Sequence, residues 1–209
     1  MFLYAPAADS LAATPSVSVW QGNLLGSPTN RPGKDASTFG PGVLKSPSQS
    51  SIIFSAAESY FLQAEAALRG YTDVDPGTLY NQGVTASFEY LNAVGYGQTT
   101  PDATATQYEN QPSNINTNFA ATTGFAQQLG VIIRQKWMAM NMVTPFEAWC
   151  DYRRTGLPAN IPLSVSPSVD VLAIPLRILY PISEYTTNTA NVNAQGTIDH
   201  HTSKIFWMP

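Results

Sequence analysis

Apolar side chains that recur every three or four residues constrain this chain most, because that spacing gathers them on one face of an α-helix and does not suit a strand. The pattern begins after Ser51, where Ile53, Ala57, Tyr60, Phe61, Ala64 and Leu68 follow at helical intervals. Gly70 closes the run at the point where a left-handed cap is needed. Ser51 or Ser55 offers the N-cap, and Glu65 precedes Arg69 by one helical turn, the favourable order for an ion pair. In a second run Asp75 suits the N-cap, Pro76 the first helical position, and Leu79, Val84, Ser87, Phe88 and Leu91 the buried face, with Gly95 or Gly97 expected to end it. Gly83 lies on that face, and since a helical glycine costs about 1 kcal/mol relative to alanine, it is expected to permit a close helix-helix approach. The two runs predict an antiparallel hairpin of tetratricopeptide type, with a single such unit in the sequence.

A third helix is expected over residues 124–142, with Phe125, Leu129, Ile132, Ile133, Trp137 and Met140 facing inward. Thr144, Pro145, Phe146 and Glu147 then read as a capping box that starts a separate helix, in which the Thr144 hydroxyl accepts from an orphan backbone donor and Glu147 reaches back to the cap. Arg153 and Arg154 fall in its last turn, where cations suit the helix dipole, before Gly156 and Pro158. Beyond Pro158 the repeated prolines predict extended loop with one short strand pair, and Ser183 is placed to cap a last helical turn through Val192. Residues 1–50 carry Gly, Pro, Ser and Thr throughout and read as an irregular segment wrapping the helical body. Residues 98–123 read as a long excursion with room for a short helix.

Of the 209 residues only 11% are charged, so the polar surface is built largely from Ser, Thr, Asn, Gln and backbone, which suits neutral ligands. A net charge of −4 with no Lys/Arg run leaves no footprint for a phosphate backbone, and nucleic acid is excluded as a partner. The single cysteine, Cys150, rules out an internal disulfide and is expected in the core. No stretch is long and apolar enough to span a membrane, and neither a signal peptide nor a cysteine for a lipid anchor is read near the N-terminus. The chain is therefore expected to be part of a larger protein.

Motifs of catalysis are missing: there is no nucleophile elbow, Walker sequence, dinucleotide fingerprint or paired-histidine zinc motif. His200 and His201 follow Asp199 in what reads as a solvated turn, so no metal and no cofactor are expected. A glycosidase needs two carboxyl groups across a cleft. Glu58, Glu65, Glu147, Asp151 and Glu184 each have a structural use instead, as cap, helix-face charge or arginine partner. Arg153, Arg154 and Arg177 are read as scaffold groups whose planar forks fix the Pro-rich C-terminal loops. Aromatic rings in polar stretches, at Tyr4, Trp20, Phe39, Tyr96 and Tyr108, permit stacking on sugar faces, and Trp20 and Tyr96 are the candidate ligand contacts.

Four stretches, AAESYFLQAEAA from Ala56, IIRQKW from Ile132, EAWCDYRRTGLP from Glu147, and RILYPISE from Arg177 with Asn188 and Asn191 beyond it, stand out together. In their order and content they resemble the C-terminal part of the SusD/RagB-like family. The resemblance runs over residues 51–209, with residues 1–50 as the separate wrapping segment. It implies an all-α fold of tetratricopeptide-like hairpins with long irregular loops. It also implies a non-enzymatic nutrient-binding subunit on the outer membrane at the cell surface, held there by a lipid anchor that this chain lacks. The expected partners are a SusC-like TonB-dependent transporter and a glycan or peptide ligand. A tetratricopeptide-type protein-interaction scaffold and a helical glycoside-active enzyme are the alternatives at this point.

Overall fold

The computed structural model describes residues 4–5, 25–26, 38–166, 168 and 173–208. The chain is helical: α1 (Ala56–Leu68), α2 (Pro76–Leu91), α3 (Pro101–Glu109), α4 (Gly124–Met140), α5 (Pro145–Thr155), α6 (Ile182–Thr187) and α7 (Thr189–Ala194) are joined by loops and a short 3-10 turn (Phe119–Ala121). Among the described residues the only strands are β1 (Tyr4–Ala5) and β2 (Thr38–Phe39), a two-residue antiparallel pair in which Tyr4 faces Phe39. The strand pair expected after Pro158 is not found there among the described residues.

The caps show why α1 lies where it does. The Ser55 hydroxyl accepts from the Glu58 backbone N–H at 3.0 Å, which fixes the start and leaves Ile53 outside the helix, 94% exposed and not on its buried face. At the other end Gly70 takes φ +77°, and the N–H groups of Gly70 and Tyr71 bond the carbonyls of Ala67 and Ala66, both at 2.9 Å. That is a Schellman close, which satisfies carbonyls the helix would otherwise orphan. Asp75 caps α2 by accepting from the Thr78 N–H at 2.7 Å and its hydroxyl at 2.9 Å. That helix ends at Asn92 (φ +48°) and not at Gly95 or Gly97, because asparagine also tolerates the left-handed region.

Helices α1 and α2 pack as a hairpin, and one apolar cluster joins them to α3, α4 and α5 through Phe61, Ala64, Tyr80, Val84, Ala105, Ile132 and Ala148. A Cβ on Gly83 would stand 2.9 Å from the Phe61 ring, so the missing side chain sets the closest approach of the pair. Tyr80 is fully buried, edge-on to Phe61 at 6.0 Å, and donates its hydroxyl to the Thr117 carbonyl at 2.7 Å. Helix α3 sits inside the segment read as an excursion. Its Thr-rich sequence gives little amphipathic pattern, yet Thr104 and Ala105 are buried against α2.

Helices α4 and α5 are separate, with a turn between Met140 and Pro145. Thr144 occupies the cap position but does not cap: its hydroxyl donates to Met140 Sδ at 2.8 Å. The turn carries the Thr144 N–H onto the Met140 carbonyl at 2.9 Å, which holds the hydroxyl over that sulfur. Glu147 is exposed, and its N–H bonds the Thr144 carbonyl at 3.2 Å. Phe125, expected inward, is 48% exposed, its ring 5.6 Å from the Arg69 guanidinium. Cys150 is half-buried, at the edge of the core. Ser183 lies within α6, whose first residue follows Pro181, and its carbonyl takes the hydroxyls of Thr186 and Thr187. No helix among the described residues is long and apolar enough to cross a membrane.

Candidate ligand-binding site

The loop leaving α2 turns twice in the left-handed region, at Tyr96 (φ +53°) and Gly97 (φ +76°). A non-glycine residue there is held by its surroundings. The Gly95 N–H donates to the Thr104 hydroxyl at 3.2 Å, and that hydroxyl donates to the Thr100 carbonyl at 2.7 Å, so the loop is tied to the first turn of α3. The result places the Tyr96 ring outward, 59% exposed, beside Tyr108 of α3 with ring centres 6.5 Å apart. Tyr108 in turn lies 5.3 Å from Phe88 of α2, and the Gln111 amide reaches the Tyr96 hydroxyl at 3.5 Å.

Under this row of rings is a pocket of about 220 Å³ between α1, α2, α3 and α4. Phe61, Val84, Leu91, Val94 and Met138 supply apolar wall, and Tyr108 with Gln135 supplies a polar edge. Gln135 is buried, and its amide donates to the Asn116 carbonyl at 2.7 Å and to the Tyr108 hydroxyl at 3.0 Å. Burial pushes the Tyr108 phenol up from its ordinary value, against the pull of that amide, so it stays neutral. Among the described residues no carboxylate lines this pocket.

The other polar concentration joins α1, α4 and α5. Arg154 grips Glu65 with both nitrogens, at 2.5 and 2.7 Å, and reaches Asp151 at 2.8 Å. Asp151 also pairs with the buried Lys136 at 2.8 Å, and Arg69, at the C-cap of α1, holds Glu65 at 2.8 Å. Burial works to raise the Glu65 pKa, but the bonds from Arg154 and Arg69 outweigh it and hold the carboxyl below its usual range. For Glu58 burial prevails over the nearby Lys136, and its pKa is raised. Glu65 and Asp151 are thus committed to cations, and Glu184 accepts from the Asn188 amide at 2.9 Å.

The sequence-named residues separate accordingly. Tyr96 stands at the pocket rim, while Trp20 lies outside the described residues. Arg153 is buried, its guanidinium 3.9 Å from the Trp149 ring and 4.8 Å from Trp207, and the Trp149 indole donates to the Pro175 carbonyl at 2.6 Å. The Arg177 guanidinium lies 5.5 Å from the Tyr180 ring, and the residue's backbone N–H bonds the His200 carbonyl at 3.3 Å. Asp199 accepts from the N–H groups of His201 and Thr202, which makes the histidine segment a hydrogen-bonded turn. Tyr108 belongs to a helix and not to a loop, and Gln135 was not singled out. The signal for Gln135 was its place one turn from Ile132 and from Ala139, a polar residue on the buried face of α4.

The model of the SusD-like family, described as SusD and RagB outer membrane lipoprotein, matches residues 23–208. The chain belongs to the SusD-like family. No curated protein sequence is matched. A SusD homologue from Bacteroides fragilis superposes with a TM-score of 0.72 at 20% identity, over 99% of this SusD-like chain and 47% of its own. A homologue from Bacteroides thetaiotaomicron gives 0.64 at 26%, over 84% of this chain and 41% of its own. A structure named a chitin-binding protein gives 0.67 at 25%, over 99% and 45%. The SusD-like chain therefore spans less than half the length of each of these structures. Their shared architecture is the helical one described above.

Proposed function

We propose that this chain is the gripping part of a non-enzymatic nutrient receptor that captures glycan at the outer surface of the outer membrane and passes it to a SusC-like TonB-dependent transporter. The observation that carries the reading is the exposed Tyr96 ring, fixed in a left-handed backbone turn with an amide at its hydroxyl, in a member of an outer-membrane lipoprotein family. An aromatic face stacks on the C–H face of a sugar while neighbouring amides bond hydroxyls. The binding role is supported further by the absence of carboxylates from the pocket below among the described residues. The chitin-binding neighbour makes chito-oligosaccharides the first ligands to try.

In this reading Trp20 is a second stacking contact, and residues 1–50 wrap the helical body of 51–209. Arg153, Arg154, Arg177, Thr144 and Glu147 act on structure and not on ligand. The test is calorimetry of a chito-oligosaccharide series against the wild type and the Tyr96→Ala and Trp20→Ala variants, with a reducing-sugar assay alongside. Each variant should weaken binding at least about tenfold, the loss of roughly 1.4 kcal/mol of stacking, with an unchanged melting temperature and no sugar released. Unchanged affinity in both variants, or release of reducing ends, refutes the proposal. Co-purification of the transporter with the tagged protein from outer membranes tests the partnership.

A further inference from the structure

We infer that the pocket beneath Tyr96 is a site for a single aromatic ring with one hydroxyl, and that the nutrient presented at the rim carries such a phenolic substituent. The inference rests on the Tyr96 rim being the place where ligand binds, and goes beyond it by assigning the interior.

Size comes first. An apolar cavity of about 150 Å³ is enough to stay dry and take up benzene, and this one offers about 220 Å³, room for one ring and a short substituent. Wall chemistry comes second. The apolar wall of Phe61, Val84, Phe88, Leu91, Val94 and Met138 provides aromatic edges and a thioether sulfur, which favour an aromatic guest. A sugar ring would have to bury several hydroxyls there, and each needs a partner.

The available partners decide against the sugar. Thr104 is engaged by the Thr100 carbonyl and the Gly95 N–H. The Gln135 amide is engaged by the Asn116 carbonyl and Tyr108, and the Tyr108 hydroxyl lies between Gln135 and Met138 Sδ, 3.9 Å away. Ser87 is the exception: it lines the pocket from α2, is half-buried, and its hydroxyl bonds no other described residue. One uncommitted hydroxyl in an apolar chamber matches a guest with one polar end. The chamber opens beside Tyr96, so the ring can enter while the rest of the molecule stays on the surface.

The experiment uses the whole chain with methyl-labelled methionine, 4-methylphenol, toluene and cyclohexanol as probes, and methyl β-glucoside as the sugar control. Saturable binding of 4-methylphenol is expected, with an upfield ring-current shift of the Met138 methyl, assigned through Met138→Leu. Ala139→Leu, which fills the chamber, should weaken 4-methylphenol at least about tenfold, the scale of one overpacked side chain. Ser87→Ala should bring 4-methylphenol down to the affinity of toluene. Should Ala139→Leu fail to fold, the Met138 shift in the wild type decides alone. No Met138 shift with 4-methylphenol, an equal shift with methyl β-glucoside, or binding indifferent to Ala139→Leu in a folded variant overturns the inference. Chito-oligosaccharide binding that needs Tyr96 while 4-methylphenol fails to bind would overturn the pocket assignment and leave the glycan reading standing.

Discussion

Arg154 shows how a single side chain can be indispensable without touching ligand. Its fork satisfies Glu65 and Asp151 together, both nearly buried, while Arg69 shares the Glu65 Oε1 and Lys136 holds the second oxygen of Asp151. Removing one partner of a fully buried pair costs about 3–5 kcal/mol because a charge is left without compensation. Here the second cations and the partial exposure of Arg154 soften the loss, so Arg154→Met should cost about 2 kcal/mol in denaturant unfolding. Arg154→Lys should recover only part of it, since an ammonium cannot grip two oxygens in one plane. The charges of this site were legible in the sequence as arginine beside a helix end. Their partners were not, because Glu65 and Arg154 lie 89 residues apart and nothing in local spacing joins them. Tyr96 was legible as a ring in a polar loop, whereas Tyr108 and Gln135 became a pair only when α3 packed near α4.

At the level of the helices, two caps that look alike in sequence differ in what they do. Asp75 accepts from Thr78, and Asp75→Ala should cost about 1 kcal/mol. Thr144 sends its hydroxyl to a sulfur, a weak acceptor, so Thr144→Ala should cost no more than about 0.5 kcal/mol, well short of a working cap. Thermal denaturation of the two variants side by side checks the contrast. Gly83 gives a second test: alanine there gains about 1 kcal/mol of helix propensity. It also drives a methyl to 2.9 Å from the fully buried Phe61 ring, and overpacking costs about 1–3 kcal/mol. Gly83→Ala should therefore be neutral to destabilising, and a clear rise in melting temperature would contradict the close approach. The hairpin and α5 were readable because punctuation and apolar period agree in them. Helix α3 was not, since its buried positions are Thr104, Ala105 and Glu109, which carry no apolar period of their own.

For the molecule as a whole, pH acts through one carboxyl above the rest. Glu109, buried at the end of α3 with Oε2 lacking a hydrogen-bond partner among the described residues, has its pKa pushed up by burial from 4.5 to about 7. The folded state therefore holds a proton that the unfolded state releases, and stability must fall as pH rises through that interval, by up to about 1.4 kcal/mol per unit for one group. Glu65, Asp75, Asp102 and Asp199 have lowered values and act in the opposite sense, but only under more acidic conditions, where their unfolded forms take up protons. Urea unfolding between about pH 5 and pH 7 should thus show declining stability, with Glu58, also raised, adding to it. Glu109→Gln should flatten most of the slope, and an unchanged slope would place the proton elsewhere. The bidentate grip of Arg154 on Glu65 has a consequence for descent as well as for folding. A chain that loses either residue first passes through a form with an ill-matched charge in its interior, so the two positions are locked to each other's history. In sequences descended from the same ancestor they should be exchanged as a pair or retained as a pair, whatever the surface around them has done.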